Sequence, residues 1–450
     1  MNNLKLLAII CAKIVILIGK MVHRGSSLPG KIALKIDKNL VKKLKTTDKI
    51  IAVTGSSGKG STSSMIAHIF REEGYKVVHN SSGANLNPGI TTMLLENCTL
   101  SGKVKGDIIV YEVDERFTKF IFKDLTPQYV VVTNITRDQP PRQGDVDLVY
   151  NEIKKALPEG TNLVLNGDDP YLLKFNLNNE YNPTYFTLDK TQYSYKENKF
   201  KNLNIYYCPK CNTKLEYEYY HFETAGKYNC PNCEFTHPES SYHITNIDYE
   251  NFEMTVNNNY KMKLQYDLLY SVYNTMAAYT VSCLLGLEPE NICKAINKIG
   301  RSSKMYNSYK YKNSEVYILN NKNENSTTFN QSLLFTERFE GSKTIVIGWK
   351  EISRRYEFDD LSWLYDVDFE ILKNSNVDKI FCVGPQSFDI GTRIKLAGFE
   401  KSKIVICDTL NDAKEIIDTL DSKYIFAVVN FDYVEPFKNT FLKEADVKWK

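Results

Sequence analysis

The strongest chemical signal in this 450-residue sequence is a glycine-bearing loop that carries one lysine. The loop, Thr54 to Lys59, follows an apolar run at 50–53 and precedes a helical pattern from about Gly60. A loop at a helix N-terminus directs several backbone N–H groups at one point, where the helix dipole adds partial positive charge. A lysine there supplies a full charge for the β- and γ-phosphates of a nucleotide, and we expect Lys59 to be exposed. The stretch therefore predicts a nucleotide-binding loop.

The spacing within this loop is shorter than usual, because only two residues separate Gly55 from Gly58. The residue after the lysine is glycine, where a hydroxyl residue is ordinary. The alternative, a glycine turn that happens to contain a lysine, leaves the flanking strand and helix unexplained. The hydroxyl of Ser61 or Thr62 is suited to a phosphate-bound Mg²⁺ ion. The residues expected to contact the nucleotide are Gly55, Ser57, Gly58, Lys59, Gly60 and Ser61.

Polar side chains at the ends of other elements are expected to join the loop. Glu112 ends an apolar run, and the ends of parallel strands meet at one crevice, so it is a candidate Mg²⁺ ligand. The alternative is a solvated strand end. Asn274 lies near the start of a helical pattern at 266–287 and suits either an adenine contact or a helix cap. Arg301 follows a helix at 291–299, where it either reaches phosphate or only ends the helix.

Four cysteines indicate a metal site. Cys208 and Cys211 form one CxxC pair, Cys230 and Cys233 form another, and eighteen residues separate the pairs. Each pair directs two thiolates at one centre, and four thiolates complete a closed tetrahedral zinc shell without an open position for chemistry. We therefore predict a structural Zn²⁺ in preference to a redox site. The nearby histidines are not needed as ligands and are expected at the surface: His221, His237 and His243.

The bulk composition excludes some functions. The net charge of +3 gives no indication of nucleic-acid binding. The apolar run at 6–18 is interrupted by Lys13 and is too short for a confident membrane span. No signal-peptide cleavage pattern follows it, so we expect a cytoplasmic protein. The run is then a helix that packs on the body of the protein or touches the inner face of the membrane.

The elements that must position these residues alternate between strands and helices, which is typical of a parallel α/β sheet. An N-terminal helical segment is predicted at 1–47 and a nucleotide-binding domain at 48–305, interrupted by the cysteine insertion at about 205–237. A smaller α/β domain is predicted at 306–450, with a helix at 362–373. Asp360 precedes that helix, and a helix cap is the structural explanation for it.

Together these motifs resemble the MurT family, whose members are Mur ligase-like subunits of the enzyme that amidates the peptidoglycan precursor lipid II. The glycine loop alone is similar to that of Mur ligases and of folylpolyglutamate synthases. The narrower resemblance covers nearly the whole chain and is carried by eight features: the Arg24-Gly-Ser-Ser-Leu-Pro-Gly stretch, Gly83-Ala-Asn85, Glu112-Val-Asp-Glu115, Thr133-Asn134, Arg137-Asp-Gln139, Leu165-Asn-Gly-Asp-Asp-Pro170, the four-cysteine insertion, and Asp360-Leu-Ser-Trp-Leu-Tyr-Asp366-Val-Asp-Phe-Glu370.

The resemblance implies a Mur ligase-type ATP-binding domain and a MurT-type C-terminal domain. It implies ATP-dependent amidation of the D-glutamate α-carboxylate in the lipid II stem, through an acyl phosphate, with ammonia from a GatD-type glutaminase subunit. By analogy Lys59 serves ATP, and Glu112 with Ser61 serves Mg²⁺. Asn274 and Arg301 flank the nucleotide, and Asp360 is the catalytic acid.

Three stretches depart from the family pattern: 322–330, 350–358 and Pro140-Pro141. They keep open the alternative of a diverged ATP-binding scaffold with little catalysis. The other alternative is an amino-acid-adding ligase of the folylpolyglutamate type, which Gly60 favours and the cysteine insertion disfavours.

Overall fold

The computed structural model describes residues 2–21, 26–137, 144–201, 207–300, 306–320, 325–350 and 360–442. The chain divides into two compact units. Unit 1 comprises Met1–Ile135, Val146–Lys196 and Ile205–Gly300, and unit 2 comprises Thr136–Asp145, Glu197–Asn204 and Arg301–Lys450. The domain boundaries predicted after residues 47 and 305 stay predictions.

Unit 1 is built on a nine-stranded sheet in the order β11-β10-β9-β6-β5-β4-β1-β3-β2. The pairs from β2 to β9 are parallel, whereas the β9–β10 and β10–β11 pairs are antiparallel. The strands are β1 (Ile50–Thr54), β2 (Val77–His79), β3 (Ile108–Glu112), β4 (Tyr129–Val132), β5 (Asn162–Asn166), β6 (Asn182–Leu188), β9 (Tyr242–Asp248), β10 (Glu253–Val256) and β11 (Tyr260–Lys263).

The helices of unit 1 cover this sheet. They are α1 (Asn2–Met21), α2 (Leu28–Ile36), α3 (Leu40–Lys43), α4 (Lys59–Glu72), α5 (Asn87–Asn97), α6 (Thr118–Ile121), α7 (Val146–Lys154), α8 (Leu269–Leu284) and α9 (Pro289–Asn297). All five residues of β1 are buried, as is usual for a parallel strand covered on both faces. The predicted α/β fold is confirmed in this unit.

The cysteine insertion forms a separate antiparallel hairpin of β7 (Glu216–Phe222) and β8 (Ala225–Asn229). Two of its cysteines are buried with Leu215, Tyr228 and Phe235 in a small apolar cluster. Leu173, which follows β5, is buried in the same cluster, so the insertion packs its apolar side chains against the main body of unit 1.

Helix α1 packs against the rest of unit 1, in agreement with one of our two expectations for the apolar run. Ala8, Ile9, Ala12 and Ile16 are buried in the main core of the unit. The described residues contain no helix long and apolar enough to cross a membrane.

Unit 2 contains a six-stranded sheet in the order β12-β13-β17-β14-β15-β16, in which only the β12–β13 pair is antiparallel. The strands are β12 (Tyr306–Tyr311), β13 (Ser314–Leu319), β14 (Lys343–Gly348), β15 (Val377–Val383), β16 (Ile404–Cys407) and β17 (Tyr424–Val429). The helices are α10 (Ser326–Glu337), α11 (Ser387–Leu396), α12 (Leu410–Ile417) and α13 (Phe431–Phe441). The predicted second α/β domain is confirmed.

The single helix predicted at 362–373 is wrong. The chain instead forms two short 3₁₀ helices, Ser362–Asp366 and Phe369–Asn374. The buried guanidinium of Arg393 donates to the carbonyls of Leu364 and Val367 at 3.2 and 2.5 Å, and it pairs with Glu370 at 3.1 Å. A carbonyl oxygen can accept two hydrogen bonds, but a backbone N–H can donate only one. The Asp368 N–H, which a continuous α-helix would direct at the Leu364 carbonyl, donates instead to Oδ1 of Asn330 at 2.8 Å.

Candidate functional site

The glycine loop of unit 1 lies where β1 ends and α4 begins. Gly55 and Gly58 have φ angles of 126° and 83°, which side chains other than glycine rarely adopt. A Cβ at Gly58 would lie 2.4 Å from Oδ1 of Asn274, so this glycine also lets the loop approach α8 closely. The backbone conformation therefore requires glycine at both positions, and the contact with Asn274 is a second reason for glycine at position 58.

Two residues after β4 fix the shape of the loop. The Ser57 N–H donates to Oδ1 of Asn134 at 3.0 Å, and the Asn134 side chain donates back to the Ser57 carbonyl at 3.0 Å. Thr133 Oγ1 donates to the same carbonyl at 2.6 Å. The central part of the loop is held in place from the neighbouring strand without using the N–H groups at the start of α4.

Lys59 is buried, although we expected it to be exposed; only 12% of its side chain is accessible to solvent. Its ammonium donates to Oε1 of Glu115 at 2.8 Å and to the carbonyl of Gly55. Glu115 follows β3, which pairs with β1, and its side chain is 9% accessible to solvent. The lysine is therefore half of a buried ion pair that loop composition alone does not predict.

Three carboxylates surround this lysine. Burial lowers the pKa of Lys59, but Glu115, Glu112 and Asp114 together raise the pKa above its ordinary value. Burial raises the pKa of Glu115, although Lys59 opposes that change. One ammonium among three carboxylates leaves an excess of negative charge, which suits a divalent cation.

Glu112 lies where a magnesium ligand beside the loop would have to lie. Its Oε1 accepts a hydrogen bond from Nδ2 of Asn85 at 2.8 Å. Its Oε2 would be 3.0 Å from a Cβ at position 60, so glycine there leaves room for the carboxylate beside the first turn of α4. This contact gives the unusual Gly60 a steric reason. The donor set of Glu112 and Ser61 fits Mg²⁺, which prefers oxygen ligands.

Asn274 also faces the loop. It is 4% exposed and lies inside α8, whose N-cap is Leu268, so it does not cap that helix. Burial raises the pKa of the nearby Tyr266 hydroxyl, and Ser61 and Asn274 oppose that change. Tyr266 is a residue of the site that sequence reasoning missed, because a tyrosine just before a helix has no distinctive spacing.

The two candidate hydroxyls of α4 differ in access. Thr62 is fully buried and its Oγ1 has no hydrogen-bond partner among the described residues. Ser61 is only partly buried. Ser61 is thus the hydroxyl that a bound ion could reach.

The four cysteines of the insertion come together as predicted. Their Sγ atoms all lie within 4.8 Å of one another, with Cys208–Cys233 at 3.6 Å and Cys211–Cys230 at 3.4 Å. A tetrahedral Zn²⁺ with Zn–S bonds of about 2.3 Å needs sulfur–sulfur distances of about 3.8 Å. The cluster therefore fits a closed four-thiolate metal site.

The histidines around the insertion are not all at the surface, contrary to our expectation. His221 is 5% exposed. His237 Nε2 lies 2.9 Å from Oδ1 of the fully buried Asp168, which also accepts from the Tyr273 hydroxyl at 2.8 Å. Asp168 follows β5, so this network ties the insertion to the large sheet and to α8.

Two further predicted site residues remain. In unit 2, Asp360 Oδ1 accepts a hydrogen bond from the Ser362 backbone N–H at 2.8 Å, which stabilises the turn into the first 3₁₀ helix. Leu361, not Asp360, is the N-cap of that helix. Arg301 lies outside the described residues.

Comparisons with known proteins match both units of the chain. Residues 53–282 match the Mur ligase middle domain, and residues 323–432 match the MurT ligase C-terminal domain. The chain is 31% identical over 418 residues to the MurT subunit of lipid II isoglutaminyl synthase (glutamine-hydrolyzing) from Staphylococcus aureus strain COL, covering 92% of each chain. It is 27% identical to the subunit of the same name from Streptococcus pneumoniae, covering 94% of each.

Solved structures show the same fold at low identity. A pseudomurein peptide ligase type C from Methanothermus fervidus matches with a TM-score of 0.64 and 19% identity, over 90% of this chain and 80% of that one. MurF ligase from Thermotoga maritima, solved in complex with ADP, matches with a TM-score of 0.58 and 17% identity, over 92% and 84%.

Proposed function

The chain belongs to the MurT family, and on that premise we propose that it is the ATP-dependent ligase subunit of a glutamine-hydrolysing lipid II isoglutaminyl synthase. The observation that carries the proposal is the 31% identity that extends over 92% of both chains. The geometry of the glycine loop supports it, because the loop is shaped and charged for a nucleoside triphosphate.

The proposed reaction has two steps. The α-carboxylate of the stem D-glutamate attacks the γ-phosphorus of ATP, which forms an acyl phosphate and releases ADP. Ammonia then attacks the acyl carbon, phosphate leaves with the C–O bonding pair, and the nitrogen loses a proton to give the amide. A Mg²⁺ ion, when bound, neutralises charge on the transferring phosphoryl group.

In unit 1 the residues of this chain bind and orient the nucleotide. The N–H groups at the start of α4 and the Lys59 ammonium hold the phosphates. Ser61 and Glu112 hold the Mg²⁺ ion, and Asn274 with Tyr266 contacts the nucleotide beside the loop. Lys59 pairs with Glu115 until a phosphate replaces that carboxylate as its partner. Contacts around the loop support each of these assignments.

In unit 2 we assign Asp360 to the amidation step, where a carboxylate orients ammonia and accepts its proton. The motif Asp360-Leu-Ser-Trp-Leu-Tyr-Asp366 supports this assignment, since it lies within the segment that matches the MurT C-terminal domain. Arg301 is retained as a proposed nucleotide contact.

The partners and the second metal follow from the family. Ammonia is supplied by a GatD-type glutaminase subunit, and the substrate is lipid II at the inner face of the membrane. The four-cysteine cluster holds a structural Zn²⁺, since a closed thiolate shell has no position for a substrate.

The test is amidation of purified lipid II by the purified chain with Mg²⁺ and ATP. We expect isoglutaminyl product and ADP with ammonium chloride, and with glutamine only after the glutaminase subunit is added. Omission of ATP is the control. ATP-dependent addition of glutamate without amidation would support the folylpolyglutamate-type alternative. ATP binding without product in either assay would support the scaffold alternative.

A further inference from the structure

Helix α1 presents an apolar face to solvent on the side opposite to its buried face. Eight large apolar side chains of this helix are between 37% and 73% exposed: Leu4, Leu6, Leu7, Ile10, Ile14, Leu17, Ile18 and Met21. At 100° per residue they cover well over a third of the helix circumference, and the small residues Ala8 and Ala12 face the core. Soluble proteins rarely leave a continuous apolar surface of this kind without a partner.

The charge around this face indicates the kind of partner. Residues 1–49 contain eleven Lys and Arg residues and only two Asp, whereas the whole chain has a net charge of +3. The remainder of the chain is therefore net negative. Helix α2, which packs beside α1, carries Lys31 and Lys35 at exposed positions. An apolar helix face beside exposed lysines matches an anionic lipid surface.

The same charge disfavours a second copy of the chain. Leu7, Ile10, Ile14, Leu17 and Met21 have the three- and four-residue spacing of a helix-pairing seam. Pairing two copies through this seam would bring two strongly basic N-terminal segments together, which costs electrostatic free energy. The apolar face is also wider than such a seam requires.

We propose that the exposed face of α1 docks on the surface of an anionic lipid bilayer, with the apolar side chains among the acyl chains and the neighbouring lysines at the headgroups. This goes beyond the proposed function and does not depend on it, because neither ATP nor lipid II takes part. If the proposed function holds, docking keeps the chain at the surface where a lipid-linked substrate lies.

The test is sedimentation of the full chain with vesicles of phosphatidylglycerol or of phosphatidylcholine, without lipid II and without ATP. We expect binding to the phosphatidylglycerol vesicles that weakens in high salt. The double variant Leu7→Glu/Ile14→Glu should bind at least tenfold more weakly, because two apolar contacts are replaced by anions. Lys31→Gln/Lys35→Gln should also weaken binding to phosphatidylglycerol, by about thirtyfold.

The matched control is Phe388→Glu/Leu396→Glu, which changes two exposed apolar residues on a helix of unit 2 and should bind as the wild type does. If Leu7→Glu/Ile14→Glu does not fold, Ile18→Glu/Met21→Glu in the last turns of α1 replaces it. Failure of the wild type to bind phosphatidylglycerol vesicles, or equal binding by the α1 variants, would overturn the proposal. So would an α1 variant that changes only self-association or binding of the glutaminase subunit.

Discussion

Lys59 is both half of a buried ion pair and the proposed phosphate ligand. Removing it leaves the carboxylate of Glu115 buried without its partner, and an unpaired buried charge costs more than the pair contributes. This differs from the expectation for an exposed loop lysine, whose loss would cost little stability. The two roles can be separated by changing both partners.

We expect Lys59→Ala to reduce ATP turnover by at least about a hundredfold, since one charge on the transferring phosphoryl group is worth about 3 kcal/mol. It should also lower the free energy of unfolding by up to about 3 kcal/mol. Adding Glu115→Gln should restore most of the stability but none of the turnover. Urea unfolding and ADP release measure the two effects, and near-normal turnover in Lys59→Ala would contradict the nucleotide assignment.

Asp360 has a structural contact that asparagine can reproduce. An Asn side-chain oxygen can accept the Ser362 N–H as Asp360 does, but it carries no charge and takes no proton. We therefore expect Asp360→Asn to unfold within about 0.5 kcal/mol of the wild type and to amidate lipid II about 10²–10⁴-fold more slowly. Amidation of lipid II with ammonium chloride is the measurement.

The control for this variant is Asp366→Asn, at another aspartate of the same motif. This change removes the ion pair between Asp366 and Arg137, whose charged atoms are 2.7 Å apart. Both residues of that pair are about one-third exposed, so its loss should have little effect on stability. Amidation by Asp360→Asn at the wild-type rate would show that this residue only stabilises the turn.

The residues of the loop could be predicted because their types and spacing are local in the sequence. Gly55, Gly58 and Lys59 lie within one turn between a strand and a helix. The Glu115 and Tyr266 contacts could not be predicted in the same way, because they depend on which strands and helices become neighbours. We expected the Lys59 side chain to be solvated, whereas in the folded chain it forms an ion pair with Glu115.

Among the elements, those with strong local patterns were predicted well. The apolar run at 50–53 predicted β1 to within one residue, and Glu112 ends β3 as expected. The helix predicted at 362–373 was wrong because Asn330, on α10, accepts the Asp368 N–H that the helix would need. No pattern within 362–373 indicates that contact.

The cysteine insertion should depend on its metal. We predict one zinc per chain, and we expect Cys230→Ser to lose it and to unfold the β7–β8 hairpin. The glycine loop is held by β4 and α8, so ATP affinity should change by no more than a few fold. Elemental analysis and nucleotide titration check both statements.

A change on α8 gives the matching control for the insertion. Tyr273→Phe removes one hydrogen bond to Asp168 and leaves the four cysteines in place. It should keep the zinc and cost about 1 kcal/mol. A zinc-free wild-type protein, with all four thiols freely titratable, would contradict the metal assignment.

His79, at the end of β2, predicts a pH dependence of stability. Burial, with a smaller contribution from Arg71, lowers the pKa of His79 to about 4. The folded state therefore disfavours the protonated ring, whereas the unfolded chain protonates it near pH 6.5. Stability from this group is complete above pH 6.5 and is lost as the pH falls toward 4, by at most about 3 kcal/mol.

The measurement is urea unfolding at pH 7.5 and at pH 5. We expect His79→Gln to lose less stability than the wild type between these two values, while the same change at the half-exposed His243 serves as control. Equal loss in the wild type and in His79→Gln would mean that other groups cause the acid sensitivity.

The whole molecule has two units, each with its own sheet, and its tryptophans are unevenly divided between them. All three tryptophans come after residue 300 in the sequence, and the two that the structure describes, Trp349 and Trp363, lie in unit 2. The described residues of the proposed nucleotide site lie in unit 1. Trp349 and Trp363 are buried, with ring centroids 5.5 Å apart. Tryptophan fluorescence therefore reports unfolding of unit 2 alone, and calorimetry reports both units.

A ligand that binds only the folded state stabilises it by about 2.7 kcal/mol at one hundred times its Kd. For a unit of this size we expect Mg²⁺ and ATP at that concentration to raise the calorimetric Tm of unit 1 by about 5 °C. The midpoint from tryptophan fluorescence should not move, because the cores of the two units are separate. Lys59→Ala should abolish the calorimetric shift and leave the fluorescence midpoint unchanged. If ATP raised both midpoints together in the wild type, the units would unfold as one cooperative body and the separate-core argument would be wrong.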